Sequence, residues 1–385
     1  MNGEDLWVVV PVAQRRDGAW LDDTLTARNA EAGLTARAPD GGRFPRQRVE
    51  LFRAPGAAAA VDEAYRRRGW TDGLPIVAPT TGRVAELVTR VRRPPRDVVA
   101  ELAPLGGLAT VERVAANAVM AGCGPAQFPY VVAAVEAVAD PAFNLAGVQT
   151  TDENVAPLVV VSAPAAAREV AEIHAGTGLL GPGWRGNATI GRALRLVLHN
   201  LGGGWPGAVS LAGAGQPGRY TLCAAEDDEV CPWPPLRVEL GHDVEEAIVV
   251  VTRAESAVNV TGGVAEIVSV MSSATSLFTA VHRGIPALLL APHTAAELAT
   301  AGAGRADVAA RLAGEAHLPA DLWNAAWVAE RVAGRPDRSE DVTVVADPES
   351  FVIFVAGGRI PIPQHVWFPS WGFPPCCVSR RVQLH

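Results

Sequence analysis

The sequence predicts an α/β protein with mixed, largely parallel sheets flanked by helices, and with a small β-rich extension at its N-terminus. Hydrophobic residues occupy 49% of the 385 positions and charged residues only 19%, which is enough apolar material for a large core. The apolar runs at 157–164, 245–254 and 285–292 are continuous rather than alternating, as in strands buried on both faces. Helical patterns lie between such runs, which is typical of parallel sheets with crossover helices.

The elements in chain order predict three parts. Strand patterns at 5–13 and 46–54 enclose an Arg-, Asp- and Gly-rich loop at 36–48, so residues 1–55 form the extension. Residues 56–240 predict an α/β domain, and residues 241–385 a second α/β unit packed on the first. The periodicity predicts helices at 57–68, 84–91, 110–120, 127–139, up to 175, from 187 or 189 to 200, from 294, and 307–316. Further strands are predicted at 220–225, 341–347 and 350–358.

Charge and composition exclude several classes of function. The formal net charge of -8 disfavours a nucleic-acid binder, which needs a cationic surface. No apolar run approaches the ~18 residues of a membrane span, and the acidic opening segment is unlike a signal peptide, so we expect a cytoplasmic protein. All 33 basic residues are arginine. The absence of lysine from the sequence excludes a Schiff-base lysine, a pyridoxal-phosphate lysine and a Walker lysine.

The strongest candidate for a binding site is the segment 181–207, in which glycine and proline precede a helix that continues to about residue 200. Asn187 or Thr189 is suited to cap this helix, whose first amides then face an anion. Arg185 and Arg192 lie near the helix start, and each guanidinium group is able to donate two hydrogen bonds to one carboxylate or phosphate. The alternative is a solvated helix with two surface arginines.

Arg192 shares one face of this helix with two further polar residues. Arg195 and His199 follow it at i+3 and i+7, opposite an apolar stripe.

Candidates for the chemistry itself are two carboxylates, a thiol and an imidazole. Asp72 or Glu226 is predicted to move a proton, the latter because it follows a short strand at the start of an acidic run. Cys123 lies before a predicted helix, where a thiol pKa falls; the alternative is an inert, packed thiol. His293 follows a buried strand, the place where α/β proteins position their sites. His365, in an aromatic and proline-rich stretch, is a weaker candidate.

The five cysteines and the glycine motifs exclude further chemistry. An odd count with irregular spacing and no CxxC pair argues against a disulfide framework and against a structural zinc site. Cys376 and Cys377 form an adjacent pair for which a redox role stays open. No GxGxxG or GxSxG motif occurs in the expected context, so neither a dinucleotide cofactor nor a serine hydrolase of that type is predicted.

Several long motifs resemble a widespread bacterial family that carries the signature WTDGLPIVPPT. The likeness begins with WTDGLPIVAPT at 70–80 and continues through the motifs at 109–129, 143–151, 181–203, 217–236 and 291–302. Family members occur beside small Gly-Ser-Cys proteins that sometimes contain selenocysteine, which implies a thiol or selenol partner. The resemblance also implies that residues in the shared polar motifs line one site. Those residues are Asp72, Cys123, Thr151, Arg185, Asn187, Arg192 and Glu226.

Together these features predict an enzyme that acts on a small anionic, carboxylate-bearing metabolite by acid–base or thiol-assisted lyase or hydrolase chemistry. Arg185, Arg192, Asn187 and Thr189 hold the anion in this hypothesis, with Thr151 as a further binding residue. No organic cofactor is predicted; a divalent metal and a homo-oligomer stay open. The alternative is a non-catalytic or redox subunit that binds a small thiol protein through exposed tryptophans. The tryptophans in question are Trp205, Trp233, Trp367 and Trp371.

Overall fold

The computed structural model describes residues 5–24, 27, 47–53, 56–323 and 341–384. The strands are β1 Asp5–Val9, β2 Val49–Arg53, β3 Val98–Leu102, β4 Gly107–Thr110, β5 Ala156–Ser162, β6 Cys223–Ala225, β7 Ile248–Ala254, β8 Val258–Thr261, β9 Ala287–Leu290, β10 His317–Leu318, β11 Val342–Thr343, β12 Val352–Val355, β13 Gln364–Phe368 and β14 Val378–Arg381.

Helices surround these strands. They are α1 Ala57–Arg67, α2 Thr81–Val88, α3 Val111–Ala121, α4 Phe128–Val138, α5 Leu145–Thr150, α6 Ala165–Val170, α7 Arg185–Asn200, α8 Leu236–Glu239, α9 Val264–Met271, α10 Leu277–His282, α11 Pro292–Thr300, α12 Arg305–Glu315 and α13 Ala320–Trp323. No single helix in the described part of the chain is long and apolar enough to cross a membrane, although the bent pair 264–271 and 274–282 meets the criterion by length and composition.

Two four-stranded mixed sheets organise the protein. The first has the order β14-β7-β5-β6 and the second the order β12-β9-β13-β8. Within them β5–β6 and β9–β12 are parallel, whereas β5–β7, β7–β14, β9–β13 and β8–β13 are antiparallel. The α/β class is therefore confirmed, but the largely parallel arrangement expected from the sequence is not.

The two sheets stack face to face between two layers of helices. Leu158 and Val160 of β5 share a buried cluster with Leu289 of β9 and Phe354 of β12, so this cluster lies between the sheets. The alternate residue Val159 of β5 joins the cluster formed with α3, α4 and α7. On the far side of the second sheet, alternate strand residues pack with α9, α11 and α12. The order of layers is helix, sheet, sheet, helix.

This stacking explains why the apolar runs are continuous. Strands β5, β7, β9 and β12 meet helices on one face and the other sheet on their second face, so both sets of their alternating side chains are buried. Parallel sheets between helices produce the same pattern. The sequence pattern therefore indicates burial of both faces and does not distinguish the two arrangements.

Outside the two sheets the strands form small antiparallel pairs. β1 pairs with β2 in the N-terminal extension, as expected, and β3 with β4 in a hairpin that the sequence did not predict. Most of the loop predicted at 36–48 lies outside the described residues. β7 and β14 belong to the same sheet as β5, so the first sheet spans the boundary predicted at residue 241.

Candidate anion-binding cleft

A cleft of about 910 Å³ opens beside the C-terminal half of α7. One wall is the turn after α1, at 69–73, and the other is the loop from 205 to 220. This volume is at the upper end of those of ordinary small-molecule sites. The polar side chains of the lining are Thr71, Asp72, Arg195, His199, Ser210, Gln216, Arg219 and Tyr220.

Two arginines in the cleft lack a carboxylate partner. Arg195 donates to the carbonyl of Gly204 (2.7 Å) and Arg219 to Ser210 Oγ (2.6 Å); neither forms an ion pair with any described residue. Burial, followed by repulsion from Arg219, lowers the pKa of Arg195 to about 10. Burial also lowers the pKa of Arg219. Two neighbouring, partly desolvated cations without an ion-pair partner form a candidate site for an anion.

An aromatic and imidazole stack forms the base of the cleft. The His199 and Trp205 rings are stacked with centroids 4.7 Å apart, and His199 Nε2 lies 2.8 Å from the carbonyl oxygen of Gly69. Gly69 has φ +70°, and a Cβ there would collide with the Trp205 ring. Burial and the charge of Arg195 lower the pKa of His199 to about 4. At neutral pH the imidazole is therefore uncharged, with its Nε2 proton donated to Gly69.

Asp72 and Arg192, which the sequence assigned to one site, are joined directly. Arg192 Nε and Nη2 donate to the two oxygens of Asp72 at 2.8 and 2.9 Å, and Nη2 also donates to the Pro75 carbonyl at 2.9 Å. The Asp72 side chain is only 3% exposed. The Arg192 guanidinium is thus already paired with a carboxylate. The anion site predicted from the sequence did not include this pairing.

The start of α7 is packed against the segment after α6. The Gly186 amide donates to the Glu172 carbonyl, and the exposed Arg185 lies 3.7 Å from the Glu172 carboxylate. Asn187 exchanges two hydrogen bonds with the backbone of His174, and Thr189 Oγ1 donates to the Arg185 carbonyl. These contacts hold the helix in place. None of these residues lines the cleft, and their binding roles stay predictions.

The cysteines are protonated in this fold. Cys123 is buried and donates to the Thr189 carbonyl at 3.3 Å, and burial raises its pKa to about 12. Burial likewise raises the pKa of Cys376 to about 11 and that of Cys377. All five cysteines are free thiols. These environments favour the packed-thiol alternative over an activated nucleophile.

Glu226 is buried within a network of ion pairs and hydrogen bonds between the sheets and helices. It is 0% exposed and accepts hydrogen bonds from Ser162 Oγ (2.6 Å), the Leu236 amide and Arg305 Nη2 (3.0 Å). Asp228, in the following acidic run, pairs with both Arg168 and Arg237. Because Glu226 lies at the end of β6 with this separate set of partners, the structure does not join it to Asp72.

The remaining predicted polar residues occupy ordinary positions. His293 is 59% exposed and lies 3.2 Å from Glu297 one turn along α11. His365 is buried; its Nδ1 accepts from the Ala291 amide, its Nε2 donates to the Gly262 carbonyl, and burial lowers its pKa. Thr151 Oγ1 accepts from the Glu153 amide in a turn. None of the three lines the cleft.

The tryptophans proposed as an interface are mostly inside the protein. Trp367 is 0% exposed and Trp371 6%, and Trp205 and Trp233 are half-buried. The expectation of an exposed tryptophan surface on these four residues is therefore wrong, because the strand and loop that carry Trp367 and Trp371 lie within the core.

Sequence analysis located α7, and of the residues that line the cleft it assigned Asp72 alone to the site. Arg195 and His199 are four residues apart, so they share a face, and this was the available signal. Arg219 and Trp205 come from an irregular loop without a periodic pattern, so only the fold brings them to the helix. Among the described residues, no group of three or more His, Cys, Asp or Glu is arranged to hold a metal ion.

Comparison of the chain with protein-family models, with curated proteins and with solved structures finds no match. The class of the protein accordingly follows from its own geometry. It is an α/β protein with two stacked mixed sheets and a half-open cleft whose arginines lack a counterion.

Proposed function

We propose that this protein is an enzyme that binds a small anionic, carboxylate-bearing metabolite in the cleft and acts on it by acid–base lyase or hydrolase chemistry. The observation that carries the proposal is the pair Arg195 and Arg219, which converge in the cleft without a carboxylate partner among the described residues. Burying an uncompensated cation costs free energy, and a bound carboxylate offsets that cost.

The anion site in this proposal lies at the middle of α7 rather than at its N-terminus. A carboxylate at the helix start meets Glu172, whereas one in the cleft meets two cations. The neighbouring Ser210 hydroxyl and Tyr220 supply further polar contacts for the ligand. The stacked Trp205 and His199 rings supply an apolar surface for the rest of it.

The proton-carrying role belongs to Asp72 in this proposal. Of the carboxylates considered from the sequence, Asp72 is the one that lines the cleft, and its charge acts on both Arg195 and His199. Arg192 orients it through two hydrogen bonds. Chemistry of this kind needs positioning, proton transfer and electrostatic stabilisation, all of which side chains are able to supply. Membership of the WTDGLPIVPPT family stays a prediction, and the proposal does not depend on it.

A thermal-shift screen with mono- and dicarboxylates tests the proposal. A ligand at about 100 times its Kd stabilises the native state by about 2.7 kcal/mol, a readily measured rise in Tm. We expect Arg195→Gln to abolish this rise without lowering the Tm of the unliganded protein, since the change removes a repelling charge. Compounds that stabilise the wild type are then incubated with it, and their conversion is followed by mass spectrometry.

Arg185→Gln is the matched control for this experiment. It removes an arginine from the same helix at its exposed N-terminal end, outside the cleft. We expect it to retain ligand-induced stabilisation. An equal response of the wild type and Arg195→Gln, or a response lost only in Arg185→Gln, contradicts the proposed site.

A further inference from the structure

A second, much smaller cavity lies behind the two cleft arginines. Its volume is about 20 Å³, and it lies between α5, β5, α7 and the turn before β6. That space is sufficient for one water molecule and too small for an organic ligand. The polar side chains that line it are Gln149, Arg195 and Arg219.

Gln149 presents an unpartnered acceptor in this place. Gln149 is only 2% exposed, and its Nε2 donates a hydrogen bond to the Ala103 carbonyl at 2.6 Å. That bond distinguishes the amide nitrogen of Gln149 from its oxygen. Oε1 is buried and has no hydrogen-bond partner among the described protein groups. Gly204 lies against this oxygen, and a Cβ at that position would collide with it.

The three side chains have complementary requirements. The guanidinium groups of Arg195 and Arg219 have only donors, and Gln149 Oε1 has only lone pairs. A water molecule satisfies both sides, because it donates to Oε1 and accepts from the guanidinium groups. A chloride ion accepts from the arginines but has no proton to donate to Gln149.

We infer that the cavity binds one ordered water, which bridges Gln149 Oε1 to Arg195 and Arg219 and so holds the two guanidinium groups in the cleft. Gln149 is in this inference a positioning residue for the anion site. The bridge also supplies a hydrogen-bonding partner for Oε1, whose burial without one is costly. The water site itself does not depend on the proposed function, but the effect of Gln149 on ligand affinity does.

A crystal structure of the full chain, with and without a bromide soak, tests the water site directly. We expect a density peak within hydrogen-bond distance of Gln149 Oε1 and of at least one of the two guanidinium groups, with no anomalous signal from bromide. A dry cavity, or bromide at that position, overturns the inference.

Three variants test the positioning role through ligand affinity. Gln149→Met keeps the size of the side chain but removes the acceptor Oε1 together with the Nε2 donor to Ala103, and we expect carboxylate affinity to fall at least about fivefold, the effect of one lost hydrogen bond. Gln149→Glu places a carboxylate beside the arginines, and we expect it to abolish ligand binding. Gln127→Met is the control, because Gln127 is equally buried but bonds to Ala171 and Gly124, away from the cleft.

The outcomes separate this inference from the proposed function. If no carboxylate stabilises the wild type, the proposed function fails, while the density in the cavity still decides the water site. If carboxylates bind and Gln149→Met and Gln127→Met have equal effects on affinity, the positioning role is wrong and the proposed function stands.

Discussion

Two groups of arginines in this protein, one buried and one half-buried, differ in the presence of carboxylates. Around Glu226, the buried Arg305 and Arg237 each meet at least one acidic partner. In the cleft, Arg195 and Arg219 meet a carbonyl and a hydroxyl and repel each other. The first group stabilises the fold by pairing charges within it. The second retains a charge imbalance at an opening, which is the physical signature of a ligand site.

The comparison also shows why arginine content alone was uninformative. The sequence contains 33 arginines and no lysine, so an arginine near a glycine-rich turn is not unusual in this chain. The cleft arginines are binding candidates because they lack a carboxylate partner among the described residues and also line an opening. That distinction depends on residues far apart in the chain, and it generates two predictions about stability.

The largest expected effect is on the network around Glu226. Glu226→Ala leaves Arg305, whose side chain is 5% exposed, with only the longer contact to Glu239 (3.4 Å) and leaves the Leu236 amide unbonded. Breaking a buried ion pair in this way destabilises proteins by about 3–5 kcal/mol. Urea unfolding of the variant measures the loss of unfolding free energy.

Glu229→Ala is the control, because Glu229 lies in the same acidic run but is exposed. We expect it to change the unfolding free energy by no more than about 0.5 kcal/mol. Equal effects of the two substitutions would show that the network around Glu226 does not stabilise the fold.

A smaller effect is expected at Arg192, which lies on the same helix as Arg195 but has a carboxylate partner. Arg192→Gln leaves the Asp72 carboxylate, only 3% exposed, without its cation, and we expect a loss of about 2 kcal/mol in unfolding free energy. Arg195→Gln removes no ion pair and relieves repulsion from Arg219, so we expect no loss of unfolding free energy. Unfolding curves of the two variants, three residues apart, compare a paired with an unpaired arginine directly. A greater loss of unfolding free energy in Arg195→Gln than in Arg192→Gln would contradict the distinction between paired and unpaired arginines.

The elements of the fold were predictable from local pattern, and their assembly was not. The apolar runs that became β5 and β7 and the periodicity that became α7 are properties of neighbouring residues, so the sequence shows them. β13 was missed because it is short and follows a proline-rich stretch. The stacking of two mixed sheets was not predicted. A run of apolar residues indicates that both faces of a strand are buried, but it does not indicate whether a helix or a second sheet covers each face.

The same reasoning applies to the site. Arg192 and Arg195 are chemically identical and share a helix face, so no local feature distinguishes them. They differ because Asp72, 120 residues away in the chain, meets Arg192 and not Arg195. Sequence reasoning therefore located the helix and predicted an anionic ligand for its arginines, whereas the fold was required to distinguish the paired arginine from the unpaired one.

A third region provides the reverse of the cleft, a place where acidic groups crowd together. Glu255 follows β7 and is hydrogen-bonded to Glu153, and His282 Nδ1 lies 3.6 Å from Glu153 Oε2. Arg253, nearby on β7, directs its guanidinium instead to the carbonyls of the 372–374 loop. Burial and then the charge of Glu153 raise the pKa of Glu255 to about 8. At neutral pH this carboxyl group therefore carries a proton that it lacks in the unfolded chain.

Because the pKa of Glu255 is raised in the folded protein, its contribution to the unfolding free energy decreases as the pH rises. The folded state binds the proton more tightly than the unfolded state, so this group's contribution to stability is complete below its ordinary pKa of 4.5 and is lost as pH rises through about 8. Glu255→Gln carries a neutral amide at every pH. We expect the unfolding free energy of the wild type to fall between pH 6 and 9 by more than that of the variant, which becomes the more stable protein at pH 9. Urea unfolding at the two pH values measures both slopes, and parallel slopes would show that Glu255 is already ionised in the folded protein at pH 6. Gln216 of the cleft donates to the carbonyls of Asn154 and Ala254, which are the chain neighbours of Glu153 and Glu255.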